Sequence, residues 1–127
     1  MLSNSKLQTI ILTSCLDKAE KFYTDMLGLS IKDRSEGALV YDVSGSDLRV
    51  SPVPSTAPTE HTVMGFSVPD VTSVVVALSD RGIVFEKFDG FPHGSNGILT
   101  TPDGSKVAWF RDPDGNLLSV VQFLQAK

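Results

Sequence analysis

The sequence has few of the residues that cross-link a chain or bind nucleic acids. Its 127 residues include one cysteine, Cys15, so an intrachain disulfide is impossible, which fits a reducing compartment. Eleven basic against 15 acidic residues give a net charge of -4, with no basic stripe for a nucleic acid. No apolar run approaches the roughly 20 residues of a membrane span, and the N-terminus lacks signal-peptide features. We therefore expect a soluble cytoplasmic protein with neither a nucleic acid nor a membrane partner.

Familiar catalytic motifs are also missing. The two histidines, His61 and His93, do not have the close spacing of a zinc site. There is no phosphate-binding loop, dinucleotide fingerprint or Gly-x-Ser-x-Gly sequence. Cys15 has no identifiable partner base, so we interpret it as a small residue at a helix start rather than a nucleophile.

A proline-rich segment divides the chain into two similar halves. Three prolines fall within seven residues of the segment 52–60, which therefore cannot continue a central strand or a helix. We predict one domain, 1–127, built from modules 6–53 and 60–124 joined by this linker. Apolar residues make up 41% of the sequence, as in ordinary globular domains.

The first half has the pattern of a strand, a helix and three short strands. Residues 7–13 are rich in Ile, Leu and Thr and form a predicted strand, and Ser14 is the predicted cap of a helix that ends at Gly28. Asp17 in the first helical turn favours the positive end of the helix dipole. The three strands are predicted near 30–34, 39–43 and 48–53.

The second half repeats this order. Residues 62–68 form the predicted strand, Asp70 caps a helix that ends at Gly82, and strands follow near 83–88, 97–101, 106–110 and 117–123. Shifting the first half by 55 residues places 7–16 on 62–71. The predicted fold is α+β, with two βαβββ modules forming a curved mixed sheet around a cleft.

Two short motifs carry a family resemblance. One is the helix end 21–29, Lys-Phe-Tyr-Thr-Asp-Met-Leu-Gly-Leu, and the other is the hairpin 110–116, Phe-Arg-Asp-Pro-Asp-Gly-Asn. Together with the repeated pattern, they resemble the vicinal oxygen chelate superfamily. That superfamily contains glyoxalase I, extradiol dioxygenases, fosfomycin-resistance enzymes and bleomycin-binding proteins. The resemblance covers essentially the whole chain.

The resemblance implies a fold, an assembly and a chemistry. It implies paired modules around a cavity, and a homodimer, since small members of the family commonly dimerise. In the metal-using members, side chains from the strands hold a divalent ion that stabilises an anionic intermediate of the substrate.

Carried over residue by residue, the family's ligand positions fall on Gln8, Arg49, Val63 and Ser119. The metal enzymes usually have histidine or glutamate at these positions and occasionally glutamine at the first. Val63 cannot coordinate a metal, and Arg49 would repel one. The resemblance therefore implies a relative without the metal, although a shift of two residues would place His61 at the position of Val63. His93 lies in a loop and is expected to be solvated, although loops also carry functional residues.

Two side chains have orientations that the sequence leaves open. Either Trp109 or its neighbour Phe110 faces the helix, and the other faces the cleft. Arg49 either points inward, where it needs an anionic partner, or is exposed because its register is shifted by one residue.

The leading hypothesis is a metal-free protein without a cofactor that binds a planar or amphipathic small molecule, in the manner of bleomycin-binding relatives. Its predicted ligand-binding residues are Gln8, Arg49, Val63, Trp109 and Ser119. The alternative is a lyase or dioxygenase of glyoxalase type that uses a divalent metal held by Gln8 and His61, so enzymatic activity stays open. A third possibility is a cleft that only mediates dimerisation.

Overall fold

Two four-stranded sheets with the same strand order form the framework of the protein. The structure, a computed structural model, describes residues 1–124; residues 125–127, which end the predicted domain, lie outside the described residues. The chain divides into two units, Met1–Ala57 and Pro58–Lys127, with one sheet in each. The predicted α+β class with two repeated modules is confirmed.

The first unit contains four strands and one helical segment. A short 3-10 helix, Leu2–Asn4, precedes the first strand. The remaining elements are β1 (Gln8–Thr13), α1 (Leu16–Glu20) with its π-helical continuation (Lys21–Met26), β2 (Ser30–Ser35), β3 (Ala38–Val43) and β4 (Ser46–Pro52). The sheet has the order β1-β4-β3-β2, with β1 parallel to β4 and the other pairs antiparallel.

The helix of the first unit begins one residue later than predicted. Cys15 is the N-cap and makes no side-chain cap hydrogen bond, so the prediction that Ser14 caps the helix is wrong. Instead, the Thr13 hydroxyl accepts from the Cys15 amide at 3.2 Å and donates to the Cys15 carbonyl at 3.1 Å. Gly28 has a φ of 74°, and it ends the helical segment as predicted.

The helix covers only one face of the first sheet. The rings of Tyr23 and Tyr41 lie 6.1 Å apart, and the Tyr41 hydroxyl is 2.8 Å from that of Thr24. Burial away from water raises the pKa of Tyr41 above its usual value. Leu48 on β4 pairs with Tyr41 and therefore lies on the face that the helix covers. Because side chains alternate along a strand, the next residue, Arg49, lies on the other face. We call that face of each sheet the helix-free face.

The second unit repeats the topology of the first. Its elements are β5 (Thr62–Ser67), α2 (Val71–Asp80), β6 (Leu99–Thr100), β7 (Lys106–Arg111) and β8 (Leu117–Gln122). The order is β5-β8-β7-β6, and β5 is parallel to β8. The predicted cap of α2 is confirmed, because the Asp70 carboxylate accepts from the amides of Thr72 and Ser73 at 3.1 and 3.5 Å. Within the described residues, no helix has the length and apolar character needed to span a membrane.

The predicted strand 83–88 is wrong. Within this segment, Glu86 alone pairs with β7, through an isolated bridge to Trp109. Further along the same edge of β7, the pairing residues are Leu99 and Thr100. The predicted strand 97–101 is therefore reduced to two residues. The reason is that Phe85 packs against Phe110 on one face of β7, so the segment wraps around the edge instead of running along it.

The hairpin between β7 and β8 anchors the segment that enters the second unit. The buried Asp112 carboxylate accepts from the amides of Asp114 and Asn116, both at 2.9 Å. Gly115 has a φ of 82°, and a side chain there would collide with Pro58 at 2.9 Å. The Arg111 guanidinium donates to the carbonyls of Thr59 and Gly115 at 2.8 and 2.7 Å. The predicted turn is confirmed, and it fixes the register of β8.

Candidate functional site

Trp109, the only tryptophan, lies on the helix-free face of the second sheet. The Gln122 side chain accepts from the backbone amide of Val71 in α2, so Gln122 faces the helix. Strand alternation then places Ser119 on the opposite face, and Ser119 pairs directly with Trp109 across β8 and β7. Phe110 faces the helix. The structure thus resolves the orientation of the two aromatics and brings two of the predicted site residues together.

Aromatic and polar contacts hold the Trp109 indole. Its ring packs edge-to-face against Phe88, with centroids 5.2 Å apart, and against His93 at 5.8 Å. Its Nε1–H donates to the Thr62 hydroxyl at 3.1 Å. These contacts fix the indole at the edge of the helix-free face.

His93 has a structural role that the sequence analysis missed. Its Nε2 accepts from the Phe88 amide at 3.1 Å, and its Nδ1 lies 2.8 Å from the Gly97 carbonyl. Because an amide only donates and a carbonyl only accepts, both contacts fit the tautomer that carries its proton on Nδ1. The expectation of a solvated histidine is wrong, because both nitrogens bind the loop backbone. The signal available in the sequence was the aromatic and glycine-rich composition around it.

Small residues form the floor beside Trp109. Gly65 on β5 pairs with Ser119, and Ser119 is only 5% exposed. A Cβ added to Gly65 would lie 2.8 Å from the Ser119 hydroxyl oxygen, so the serine side chain uses the space that glycine leaves. The sequence analysis missed Gly65, although a glycine inside a strand often marks such a close approach.

Val63 lies at a β-bulge in β5. The pairing of β5 with β8 shifts between Thr62, opposite Leu117, and Met64, opposite Leu118. Gly65 therefore lies directly opposite Ser119, and Val63 lies at the register shift itself. His61 is exposed and precedes β5. A contact between Val63 and a ligand stays a prediction.

Arg49 belongs to the corresponding row of the first sheet, that is, to a set of directly paired residues on neighbouring strands. It pairs with Ile10 on β1 and Val40 on β3 and lies on the helix-free face. Its side chain is 26% exposed. The guanidinium donates to the Ser35 carbonyl at 3.2 Å and lies 3.9 Å from the Glu36 carboxylate.

Gln8 lies on the same face of the first sheet as Arg49, opposite Asp47. Gln8 is exposed, and Asp47 pairs with Lys32 at 2.7 Å. The hydrogen bond from Lys32 lowers the pKa of the Asp47 carboxyl below its ordinary value. Asp47 is therefore an ion-pair partner rather than a general base.

The residues at the carried-over positions do not fit a divalent metal. Arg49 supplies a permanent cation, Val63 has no donor atom, and Ser119 is a neutral hydroxyl. His93 cannot offer Nε2 without losing its bond to Phe88. Among residues 1–124, no three His, Cys, Asp or Glu side chains are grouped so that they could hold an ion.

One comparison with known proteins identifies a family. The family model of the Glyoxalase/Bleomycin resistance protein/Dioxygenase superfamily matches residues 7–120. No curated protein matches the chain.

Several solved structures have a similar fold. A lactoylglutathione lyase from Agrobacterium tumefaciens has a TM-score of 0.73 at 19% identity, with 94% of this chain and 93% of that chain covered. A glyoxalase family protein from Enterococcus faecalis has a TM-score of 0.70 at 20% identity, covering 96% and 100%. A glyoxalase/bleomycin resistance protein/dioxygenase from Alicyclobacillus acidocaldarius has a TM-score of 0.69 at 20% identity, covering 96% and 93%. At these identities, the likeness concerns the fold alone.

Proposed function

Because the chain belongs to the Glyoxalase/Bleomycin resistance protein/Dioxygenase superfamily, we propose that it is a metal-free protein that binds a small molecule on its helix-free sheet faces. One observation carries the proposal. The position on β4 where metal-using relatives have a ligand holds Arg49, a cation that disfavours a second cation.

The proposal of a planar or amphipathic ligand rests on the residues of the second sheet. Gly65 and Ser119 give a low floor beside the fixed indole of Trp109. Aromatic walls and a few fixed polar groups are typical of small-molecule sites. The proposed contacts on this sheet are Trp109, Ser119 and Val63, and those on the first sheet are Gln8 and Arg49.

The first experiment measures the metal content of protein purified without chelator. We expect substoichiometric divalent metal and unchanged thermal stability when a chelator is added. A stoichiometric ion that is lost in the variants His61→Ala and Gln8→Ala would overturn the proposal in favour of the metal-dependent enzyme. Because His93 is held by the loop backbone, its substitution is not a clean test of metal binding.

The second experiment screens a metabolite library by thermal shift in the presence of chelator. Compounds that bind raise the melting temperature, because a ligand that binds only the folded state stabilises it. Trp109, as the only tryptophan, reports binding directly through its fluorescence. The affinity of each hit is then measured for the variant Ser119→Val. The matched control is Thr100→Val, which changes an exposed strand hydroxyl of the same sheet.

We expect hits that change Trp109 fluorescence and bind more weakly to Ser119→Val but not to Thr100→Val. A library without hits would favour a face that mediates only association between chains. The homodimer is part of the proposal, and light scattering of the purified protein tests it. A monomer at micromolar concentration would remove that part alone.

A further inference from the structure

Arg49 is the arginine whose charge is least satisfied among three that can be compared. Arg34 makes two hydrogen bonds with the Glu20 carboxylate, at 2.9 and 2.8 Å. Arg111 pairs with Glu86 at 2.9 Å and also donates to two carbonyls. Arg49 donates to one carbonyl and is 3.9 Å from Glu36, beyond hydrogen-bond distance. Its guanidinium therefore retains donors that a ligand can use.

The surroundings of Arg49 favour an anion with an apolar body. On the neighbouring strands it lies between Ile10, which is 54% exposed, and Val40, which is 7% exposed. Leu12, further along β1 on the same face, is 46% exposed. An attraction between opposite charges is stronger beside apolar groups than in open water.

Glu36 is a weak partner for Arg49. Its side chain is 89% exposed, so water competes for its carboxylate. It lies with Gly37 in the turn between β2 and β3, where both residues have positive φ, 52° and 82°. Such turns favour Asn, Asp or Gly, and a glutamate there costs conformational energy. Its carboxylate nevertheless lies in front of Arg49, which shows that a carboxylate fits that position.

Other carboxylates on this face of the sheet accept hydrogen bonds of their own. Asp47 pairs with Lys32 at 2.7 Å, and the Asp42 carboxylate accepts from the Gly45 amide at 3.1 Å. Asp33, opposite Val40 in the row of Arg49, accepts from the Arg34 amide at 2.8 Å. Among residues 1–124, Glu36 is the acidic residue that pairs with Arg49. A ligand carboxylate therefore has one internal competitor, and that competitor is exposed and displaceable.

We propose that Arg49 is the subsite for the carboxylate of an amphipathic ligand and that Glu36 is the internal anion which this carboxylate replaces. The inference rests on the proposed binding function and adds the class of ligand to it. The ligand's apolar body would lie against Ile10 and Leu12.

The experiment follows octanoate binding by NMR, with the Nε–Hε resonance of Arg49 as the reporter. We expect octanoate to shift this resonance and to bind about tenfold more tightly than octanamide, because the amide lacks the charge. Arg49→Gln should weaken octanoate binding about tenfold. Glu36→Gln, which keeps the length of the side chain, should strengthen it by about two- to fivefold.

Arg34→Gln is the matched control. It removes the same charge from an arginine of the same sheet, but this arginine is already paired with the Glu20 carboxylate. We expect it to leave octanoate binding unchanged. The proposal is overturned if octanoate does not bind at millimolar concentration, or if Arg49→Gln and Arg34→Gln have equal effects. It is also overturned if Glu36→Gln does not strengthen binding, or if octyl phosphate binds far more tightly than octanoate.

Failure of this proposal differs from failure of the proposed function. If Arg49→Gln still binds octanoate while library compounds still change Trp109 fluorescence, only the carboxylate subsite is lost. A stoichiometric metal that depends on His61 would remove the metal-free function and leave the Arg49 measurement valid.

Discussion

The two sheets share one strand order and differ in the central row of their helix-free faces. Counted from the edge strand that pairs in parallel, the first three positions of each row are Ile10, Arg49 and Val40 in the first unit and Gly65, Ser119 and Trp109 in the second. The first row continues to Asp33 on β2. One row has a charged centre between branched aliphatic residues, whereas the other has two small residues beside the largest side chain.

The rows also differ in how their long side chains are held. Trp109 contacts Phe88 and His93 and donates to Thr62, so three neighbours fix its position. Arg49 donates to one carbonyl and has a distant, exposed counter-ion. The same topology therefore supports a fixed aromatic surface in one unit and an adjustable charge in the other. Function in such a fold is determined by the residues of these rows rather than by the fold.

The strongest test of this comparison is Trp109→Ala. We expect it to lower the free energy of unfolding by about 3 kcal/mol, because the half-buried indole supports both Phe88 and His93. Ile10→Ala, at the opposite end of the first row on the edge strand β1, should cost about 1 kcal/mol or less, since Ile10 is 54% exposed. Urea denaturation of both variants, followed by circular dichroism, measures the difference.

Trp109→Phe is the control that separates packing from hydrogen bonding. It keeps an aromatic ring beside Phe88 and His93 and removes only the bond to Thr62 and part of the ring, so its cost should be about 1 kcal/mol. Equal costs for Trp109→Ala and Ile10→Ala would show that the second row is no more tightly held than the first.

Much of the fold could be predicted from local signals. The cap at Asp70, the glycines that end the helices and the turn around Asp112 each have a local physical cause, and each lies where predicted. The register of β8 followed from the turn, so Ser119 could be assigned to its row before the structure was known.

The errors have long-range causes. The bulge at Val63, which was not predicted, depends on pairing with β8, and no local pattern in β5 reveals it. The role of His93 depends on the path of the loop between α2 and β6, which wraps around β7 where a straight strand was expected. The N-cap at Cys15 instead of Ser14 depends on where the strand ends. The sequence therefore predicts features that depend on one strand or turn, and it does not predict features that depend on pairing between strands or on the path of a loop.

A smaller change in stability tests the close contact between Gly65 and Ser119 in the second row. Gly65→Ala should lower the free energy of unfolding by about 1 kcal/mol, because its Cβ would lie 2.8 Å from the Ser119 hydroxyl oxygen. Ser119→Ala removes that oxygen, so the double variant should recover most of the loss, and a double-mutant cycle measures the coupling. A simple sum of the two single effects would show that Ser119 does not occupy the space left by Gly65.

The smallest effect separates the two arginines of the first unit. The hydrogen bond from Arg34 holds the pKa of Glu20 below its usual 4.5. Because the folded-state pKa is the lower one, the pair stabilises the fold above pH 4.5, and this contribution is lost as pH falls through that lower pKa. Arg34→Gln should therefore raise the Glu20 pKa towards 4.5 in a carboxyl-carbon NMR titration, whereas Arg49→Gln should leave it unchanged. The two variants remove equal charge, so a shift of the Glu20 pKa in both would mean that Arg34 has no specific partner. Arg34 would then be no more satisfied than Arg49, and the contrast on which the carboxylate subsite rests would disappear.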